Sequence, residues 1–124
     1  MESSPQTFCT IHPKFTIKDW DAAMPILQEF VEKTSTEAGC IYYGWTKCGD
    51  KLFCREAYVD GDAVMAHLAN VGSCIDALLA GPASLDSIEI HGPAAEIEKT
   101  KEGTAALGTL YFELDSGFQN YEEA

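Results

Sequence analysis

The side chains best suited to acid–base chemistry in this chain are one histidine and one glutamate, His67 and Glu56. Histidine ordinarily titrates near neutral pH, so it can both accept and donate a proton. His67 lies among apolar residues at helical spacing, and we expect it on the wall of a pocket. The alternative is a structural role, in which His67 bonds Glu56 or a backbone carbonyl and orients its helix.

Glu56 lies inside a predicted strand, residues 52–59. Side chains alternate between the two faces of a strand, so three others share the face of Glu56: Leu52, Cys54 and Tyr58. A carboxylate is costly to bury alone, and Glu56 therefore needs a partner. His67, Arg55 or a helix N-terminal amide can provide one. A role in proton transfer and a purely structural pairing both remain open for Glu56.

Aromatic side chains follow a second predicted strand, residues 40–47. Tyr43 and Trp45 share one face, and Tyr42 points to the other. Such rings can stack against a planar substrate, and a phenol can donate to its oxygen. The alternative is that they pack in the core or between subunits.

Three more side chains are candidates for substrate binding. Tyr58 is expected to shape the pocket together with Tyr43 and Trp45. Asn70 follows His67 by one helical turn and can hold an oxyanion or dioxygen, unless it faces solvent. His12, on the first strand, can line the same cavity, although its neighbour Pro13 suits an edge, a turn or a bulge equally well.

The sequence gives no sign of a metal or cofactor site. The three histidines lack ligand spacing, and no two of the five cysteines form a C-x-x-C pair. No phosphate-binding glycine loop or dinucleotide fingerprint is present. We therefore expect neither a metal nor a cofactor, and buried, reduced cysteines.

Composition excludes several classes of partner. The 124 residues include 20 acidic and 8 basic side chains, a formal charge of −12. Such a surface repels nucleic acids and anionic lipid. No apolar run approaches the ~20 residues of a transmembrane helix, and the N-terminus lacks the regions of a signal peptide. We expect a cytoplasmic protein with one domain, residues 1–124.

Hydrophobic periodicity switches several times along the chain and predicts an α+β, ferredoxin-like β-α-β-β-α-β order followed by a C-terminal helix and strand. The predicted strands are residues 8–17, 40–47, 52–59, 85–91 and 109–114; the helices begin near Asp19, Asp60 and Pro93. The first helix should bury a stripe formed by Met24, Leu27, Phe30 and Val31. Because both long helices cover one face of the sheet, we expect a homodimer to cover the other.

Two segments, residues 37–43 (EAGCIYY) and 55–67 (REAYVDGDAVMAH), resemble the antibiotic biosynthesis monooxygenase domain family. These are small dimeric α+β barrel proteins, and His67 occupies the family's A-H position. The resemblance covers residues 7–92, and residues 93–124 resemble an extension found in one branch.

The resemblance implies cofactor-independent monooxygenation of a small phenol, quinol or polyketide-like aromatic by dioxygen. Two alternatives stay open: a non-oxidative polyketide cyclase or isomerase that uses the same histidine, and a small-molecule binding protein without catalysis. Haem binding is not expected, because no histidine stands at the end of the second helix, where the haem-degrading relatives carry theirs.

Overall fold

The computed structural model describes residues 6–120. One five-stranded sheet has the order β2-β3-β1-β4-β5. Its strands are β1 Cys9–Ile17, β2 Cys40–Cys48, β3 Lys51–Tyr58, β4 Ala83–Gly92 and β5 Leu110–Glu113. The helices are α1 Trp20–Thr34, α2 Gly61–Leu79, α3 Ala94–Glu98 and α4 Lys101–Thr104, with a 3₁₀ turn at Ala105–Leu107. The predicted α+β, ferredoxin-like fold is confirmed.

Alternation along the strands separates a buried face from an exposed one. The side chains of β3 that were predicted to share a face, from Leu52 to Tyr58, are all buried under α1 and α2. The opposite side of the sheet, which we call the open face, carries His12, Tyr42, Phe53, His91 and Phe112. Tyr42 therefore points away from Tyr43 and Trp45, as the alternation predicted.

Pro13 lies in the centre of the sheet, since β1 pairs with β3 on one side and with β4 on the other. The β1–β4 register shifts between Lys14 and Phe15, and the β1–β3 ladder has no partner pair at His12 and Pro13. Proline has no N–H to donate, so a central strand accepts it only where pairing is irregular. Pro13 therefore lies at a gap in the β1–β3 pairing and one residue before the β1–β4 register shift, and the edge interpretation is wrong.

The first helix is rotated relative to the predicted stripe. Asp19 caps it by accepting a hydrogen bond from the Ala22 amide at 3.1 Å. Leu27 and Phe30 are buried as predicted, but Met24 and Val31 are 49% and 46% exposed. Ala23 and Thr34 take their places in the core. The apolar residues of α1 cover a broader arc of the helix than one buried stripe. The small side chains of Ala23 and Thr34 allow the helix to pack closely on the core.

The C-terminal segment, residues 93–120, packs against the start of α2. Glu96 accepts a hydrogen bond from the Gly61 amide at 3.0 Å, and Ile97 is fully buried. Its last strand, β5, pairs in parallel with β4. Among residues 6–120, no helix is long and apolar enough to span a membrane.

Candidate active site

A small cavity lies between the sheet and the two long helices. Its apolar wall includes Ile11, Phe15, Leu68, Val71, Leu85, Ile88 and Leu107, and its aromatic wall includes Phe30, Tyr43 and Trp45. Two ionisable side chains complete the lining, Glu56 and His67. The cavity measures about 50 Å³, whereas typical ligand pockets measure roughly 300–1,000 Å³.

Glu56 and His67 belong to a continuous chain of polar contacts. The His67 imidazole lies 2.9 Å from Glu37 Oε2 through Nδ1, and 3.4 Å from Glu56 Oε1 through Nε2. The Tyr58 hydroxyl donates to Glu56 Oε1 at 2.6 Å. All four side chains are nearly or fully removed from solvent. A histidine placed between two carboxyl groups can pass a proton from one ring nitrogen to the other.

Burial decides which groups in this chain can ionise. Desolvation raises the pKa of Glu56 above its ordinary value, although the imidazole and the Tyr58 hydroxyl favour its charged form. Burial also raises the pKa of Tyr43, Tyr58 and Cys54. The tyrosines and the thiol therefore stay neutral at physiological pH, and proton transfer is left to the carboxyl and imidazole groups.

Sequence reasoning missed the role of Glu37. This residue was noted only as part of the 37–43 motif, yet it contacts the imidazole directly. It lies in the turn that connects α1 to β2, where its amide donates to the Thr34 carbonyl. That turn approaches α2 so closely that a Cβ on Gly39 would lie 2.6 Å from the Cβ of Ala63. Gly39 permits this close approach, which brings Glu37 to His67. The glycine of the motif is therefore the sequence signal that could have identified Glu37.

The predicted aromatic residues divide into two groups. Tyr43 and Trp45 line the cavity, and the Tyr43 ring lies 5.5 Å from the His67 ring between centroids. Tyr58 does not line it: the side chain is fully buried behind the imidazole, 4.9 Å away, and contacts Glu56. The expectation that Tyr58 shapes the pocket together with Tyr43 and Trp45 is therefore not met, because its ring is buried behind the imidazole and lies outside the cavity wall.

The side chain of Asn70 hydrogen-bonds the Glu37 carboxylate and does not line the cavity. Its side-chain amide donates to Glu37 Oε2 at 2.8 Å and to the Lys33 carbonyl at 2.9 Å. The cavity wall does not include it. The side-chain amide of Asn70 is thus used by the Glu37 carboxylate and the Lys33 carbonyl, and its direct role in holding an oxyanion stays a prediction that the cavity lining does not support.

His12 lies on the open face, on the far side of the sheet from His67. It contacts Thr10 Oγ1 at 2.8 Å and packs edge-on against His91. The prediction that His12 lines the cavity is wrong, because strand alternation turns its side chain away from Ile11 and Phe15. No group of three or more metal-binding side chains is present within residues 6–120.

An open groove lies next to the cavity, on the other side of Trp45. It measures about 640 Å³ and is lined by Trp20, Met24, Leu27, Val31 and Leu52, together with Trp45 itself. The exposed Met24 and Val31 of α1 therefore form one side of a groove. Trp45 is the residue that the groove and the cavity share.

Together these features describe a small ferredoxin-like α+β protein with an imidazole–carboxyl pair facing an apolar cavity. Solved structures of the same fold include a putative antibiotic biosynthesis monooxygenase from Chloroflexus aurantiacus, at 22% identity and a TM-score of 0.54 over 71% of this chain and 94% of that one. They also include SnoaB, described as a cofactor-independent oxygenase from Streptomyces nogalater, at 14% identity and a TM-score of 0.60 over 68% of this chain and 90% of that one.

A longer match is to MupZ from Pseudomonas fluorescens. The identity is 31% and the TM-score 0.85, over 97% of this chain and 94% of MupZ. The chain belongs to the same protein family as MupZ. No protein-family model and no curated protein matches the sequence significantly.

Proposed function

We propose that this chain is an enzyme that catalyses a proton-transfer reaction, a cyclisation or isomerisation, on a small and largely apolar polyketide-like compound. Glu56 and His67 transfer the protons, and no cofactor takes part. The observation that carries the proposal is the Glu56–His67 contact at the wall of an otherwise apolar and aromatic cavity.

The pair supplies both an acid and a base. Because burial raises the pKa of Glu56, this carboxyl group holds its proton to higher pH than an exposed glutamate does, and it can act as a general acid. His67 can take a proton from the substrate and return it elsewhere. Removing a proton at one atom and supplying one at another is what ring closure or double-bond migration requires.

The surroundings favour a non-oxidative reaction. Monooxygenation without a cofactor needs a substrate anion that persists long enough to reduce dioxygen. The cavity wall contains no lysine or arginine among the described residues, and two carboxyl groups flank the imidazole. An anion therefore meets no fixed positive charge here, whereas a reaction in which Glu56 protonates the substrate while His67 deprotonates it keeps the developing charge small.

Monooxygenation of a small aromatic compound, with dioxygen as the second substrate, is the other candidate. Tyr43 and Trp45 form an aromatic wall beside His67, and such a wall can hold a planar phenol or quinol ring. The fold is also that of SnoaB, a cofactor-independent oxygenase. These observations make oxygen consumption a necessary measurement.

Substrate size supports entry through the groove. The cavity is too small for a polyketide-like molecule, but the groove beside it is several times larger. We infer that the reacting end of the substrate enters the cavity past Trp45, while the rest lies along Met24 and Val31. Trp45 Nε1, which is buried without a hydrogen-bond partner, can then donate to a substrate oxygen.

The test is turnover of a panel of small polyketide-like hydroxy-ketones, unsaturated lactones and quinols, with product mass and oxygen uptake recorded together. We expect a product with the substrate's mass, or lower by one water, and no oxygen uptake. Oxygen uptake with a heavier product would favour monooxygenation. Ligand binding that persists in His67→Ala, with no turnover in either protein, would leave a binding protein and contradict both enzymatic proposals.

We also propose that two copies pair through their open faces. In the single chain, Tyr42, Phe53 and Phe112 are 42–48% exposed on that side of the sheet, an arrangement that a two-fold symmetric partner would cover. Light scattering should give a dimer mass, and Phe53→Glu should give a monomer. Met24→Glu, which adds the same charge in the groove, is the matched control. A stable monomer at micromolar concentration would contradict this proposal.

A further inference from the structure

A line of side chains connects the buried cavity with the protein surface. At its outer end, Glu37 lines a shallow surface depression of about 220 Å³ beside the end of α1, together with Ser35, Cys40 and Tyr42. The Glu37 side chain keeps 11% of its surface exposed. At the inner end, Glu56 is 5% exposed and lines the cavity. The imidazole of His67 lies between them.

The geometry suits proton transfer in two steps. Glu37 Oε2 is 2.9 Å from His67 Nδ1, and His67 Nε2 is 3.4 Å from Glu56 Oε1. A histidine can receive a proton at one ring nitrogen while it releases one from the other. The Asn70 amide donates a hydrogen bond to Glu37 and another to the Lys33 carbonyl, and it thereby fixes the Glu37 carboxylate beside His67.

Two other routes lead away from Glu56. The Tyr58 hydroxyl contacts Glu56 but is fully buried, so that branch ends inside the protein. Glu56 also borders a depression on the open face, beside His12 and Arg55. His12 is the one titratable imidazole there, and it is therefore the group to compare with Glu37.

We propose that Glu37 exchanges protons between solvent and the catalytic pair, through His67. Its chemical use rests on the proposed function. Water protonates the Glu37 carboxylate, Glu37 passes that proton to Nδ1, and the Nε2 proton moves to an ionised Glu56. The imidazole stays neutral overall and changes tautomer. When Nε2 then takes the proton that the substrate gives up at another atom, the Nδ1 proton leaves through Glu37 to water, which restores the starting tautomer and keeps Glu56 protonated.

Such a route is useful because each catalytic cycle must end with Glu56 protonated again. When a substrate takes the Glu56 proton at one atom and gives up another elsewhere, the site is reset only if protons can be redistributed. Glu56 is only 5% exposed, so bulk water has little direct access to it. Glu37 is therefore a positioning and proton-delivering residue that acts through His67, and it need not touch the substrate.

The first test does not depend on any substrate. Exchange of the His67 ring N–H with solvent is measured by NMR on ¹⁵N-histidine-labelled protein. In Glu37→Gln, which cannot carry a proton, exchange should slow by at least about tenfold. Glu29→Gln, an exposed change on α1, should leave the rate unaltered. If exchange is unchanged in Glu37→Gln, or if His12→Gln slows it instead, the proposed route is overturned.

The second test uses turnover. Glu37→Gln should lower kcat by about 10²-fold, within the range for general acid–base groups, with little change in KM. In Glu37→Ala, added formate that occupies the depression should restore much of kcat, whereas chloride should not. A structural role alone predicts no rescue, and that result would overturn the proposal. If exchange responds as expected but no substrate is ever turned over, the route stands and the proposed function fails.

Discussion

The sheet carries a histidine–glutamate contact on each of its faces, and the two differ in almost every physical respect. On the buried face, His67 lies 3.4 Å from Glu56, and both side chains are at most 5% exposed. On the open face, His91 lies 3.0 Å from Glu89, with side chains 41% and 29% exposed. The shorter contact is the one in which both side chains also reach water.

The consequences for ionisation are opposite. Burial raises the pKa of Glu56, whereas the hydrogen bond from His91 lowers the pKa of Glu89. Desolvation also lowers the pKa of His12, which packs against His91. The environment thus favours the protonated form of Glu56 and the ionised form of Glu89. The two pairs contain the same residue types, so residue type alone does not identify a candidate active site. Desolvation of the pair beside a cavity does.

The largest expected difference between the two contacts is in catalysis. Glu56→Gln keeps the shape of the side chain but removes the transferable proton, so kcat should fall by about 10²–10⁴-fold. Glu89→Gln, the same change on the open face, should alter kcat by less than about twofold. Steady-state turnover of the best substrate in the panel measures both. Equal losses in the two variants would show that the buried pair has no special role.

The sequence predicted the buried contact well where strand alternation applied. Glu56, Tyr43 and Trp45 all lie on the predicted face, because a period of two assigns every side chain once one is placed. His12 was misplaced although the alternation of β1 is regular, because its position was not compared with the apolar set that marks the buried face: Ile11, Phe15 and Ile17.

Rotation of α1 and the position of Glu37 needed information that periodicity does not contain. A helical repeat predicts that α1 has an apolar side, but Met24 and Ala23 are adjacent and either can face the core. Glu37 lies in a turn without periodicity. Its contact with His67 depends on how closely Gly39 approaches Ala63, which is a property of tertiary packing.

The C-terminal segment illustrates the same limit. Its helix and strand were predicted, but their docking was not. Leu107 reaches the cavity wall and Glu96 caps the start of α2. The match to MupZ covers 97% of the chain, whereas the matches to SnoaB and the Chloroflexus protein cover 68% and 71%. The site of this chain is thus built partly from a segment outside the resemblance that the sequence suggested.

A smaller expected effect concerns the hydroxyl behind the buried pair. Tyr58→Phe removes the hydrogen bond to Glu56 Oε1, one of the influences that lower the pKa of this carboxyl. The pKa of Glu56 should therefore rise further, and the variant should lose roughly 1 kcal/mol of stability. Infrared spectroscopy of the protonated carboxyl band during titration, with denaturant unfolding, tests both. A downward shift of the pKa would contradict the assignment of Tyr58 as a donor.

The smallest effect is also the one with the clearest sign, the pH dependence of stability. In the folded chain the pKa of Glu56 lies above its ordinary value of 4.5, so the folded state binds more protons than the unfolded state. The contribution of Glu56 to stability is complete below that ordinary value and is lost as pH rises through the folded pKa. Glu56→Gln should therefore gain in melting temperature, relative to wild type, as pH rises above 4.5 and through the folded pKa of Glu56.

Glu89 should behave in the opposite way. Its folded pKa lies below the ordinary value, so its contribution is present above that value and is lost as pH falls through the folded pKa. The melting temperature of Glu89→Gln should approach that of wild type on acidification. Both variants are best compared at a concentration low enough to keep the chain monomeric, because pairing through the open face would bury Glu89. Each variant gives a difference in melting temperature from wild type. If these two differences change in the same direction with pH, the two contacts are not electrostatic opposites. The case for Glu56 as the proton donor then loses its physical basis.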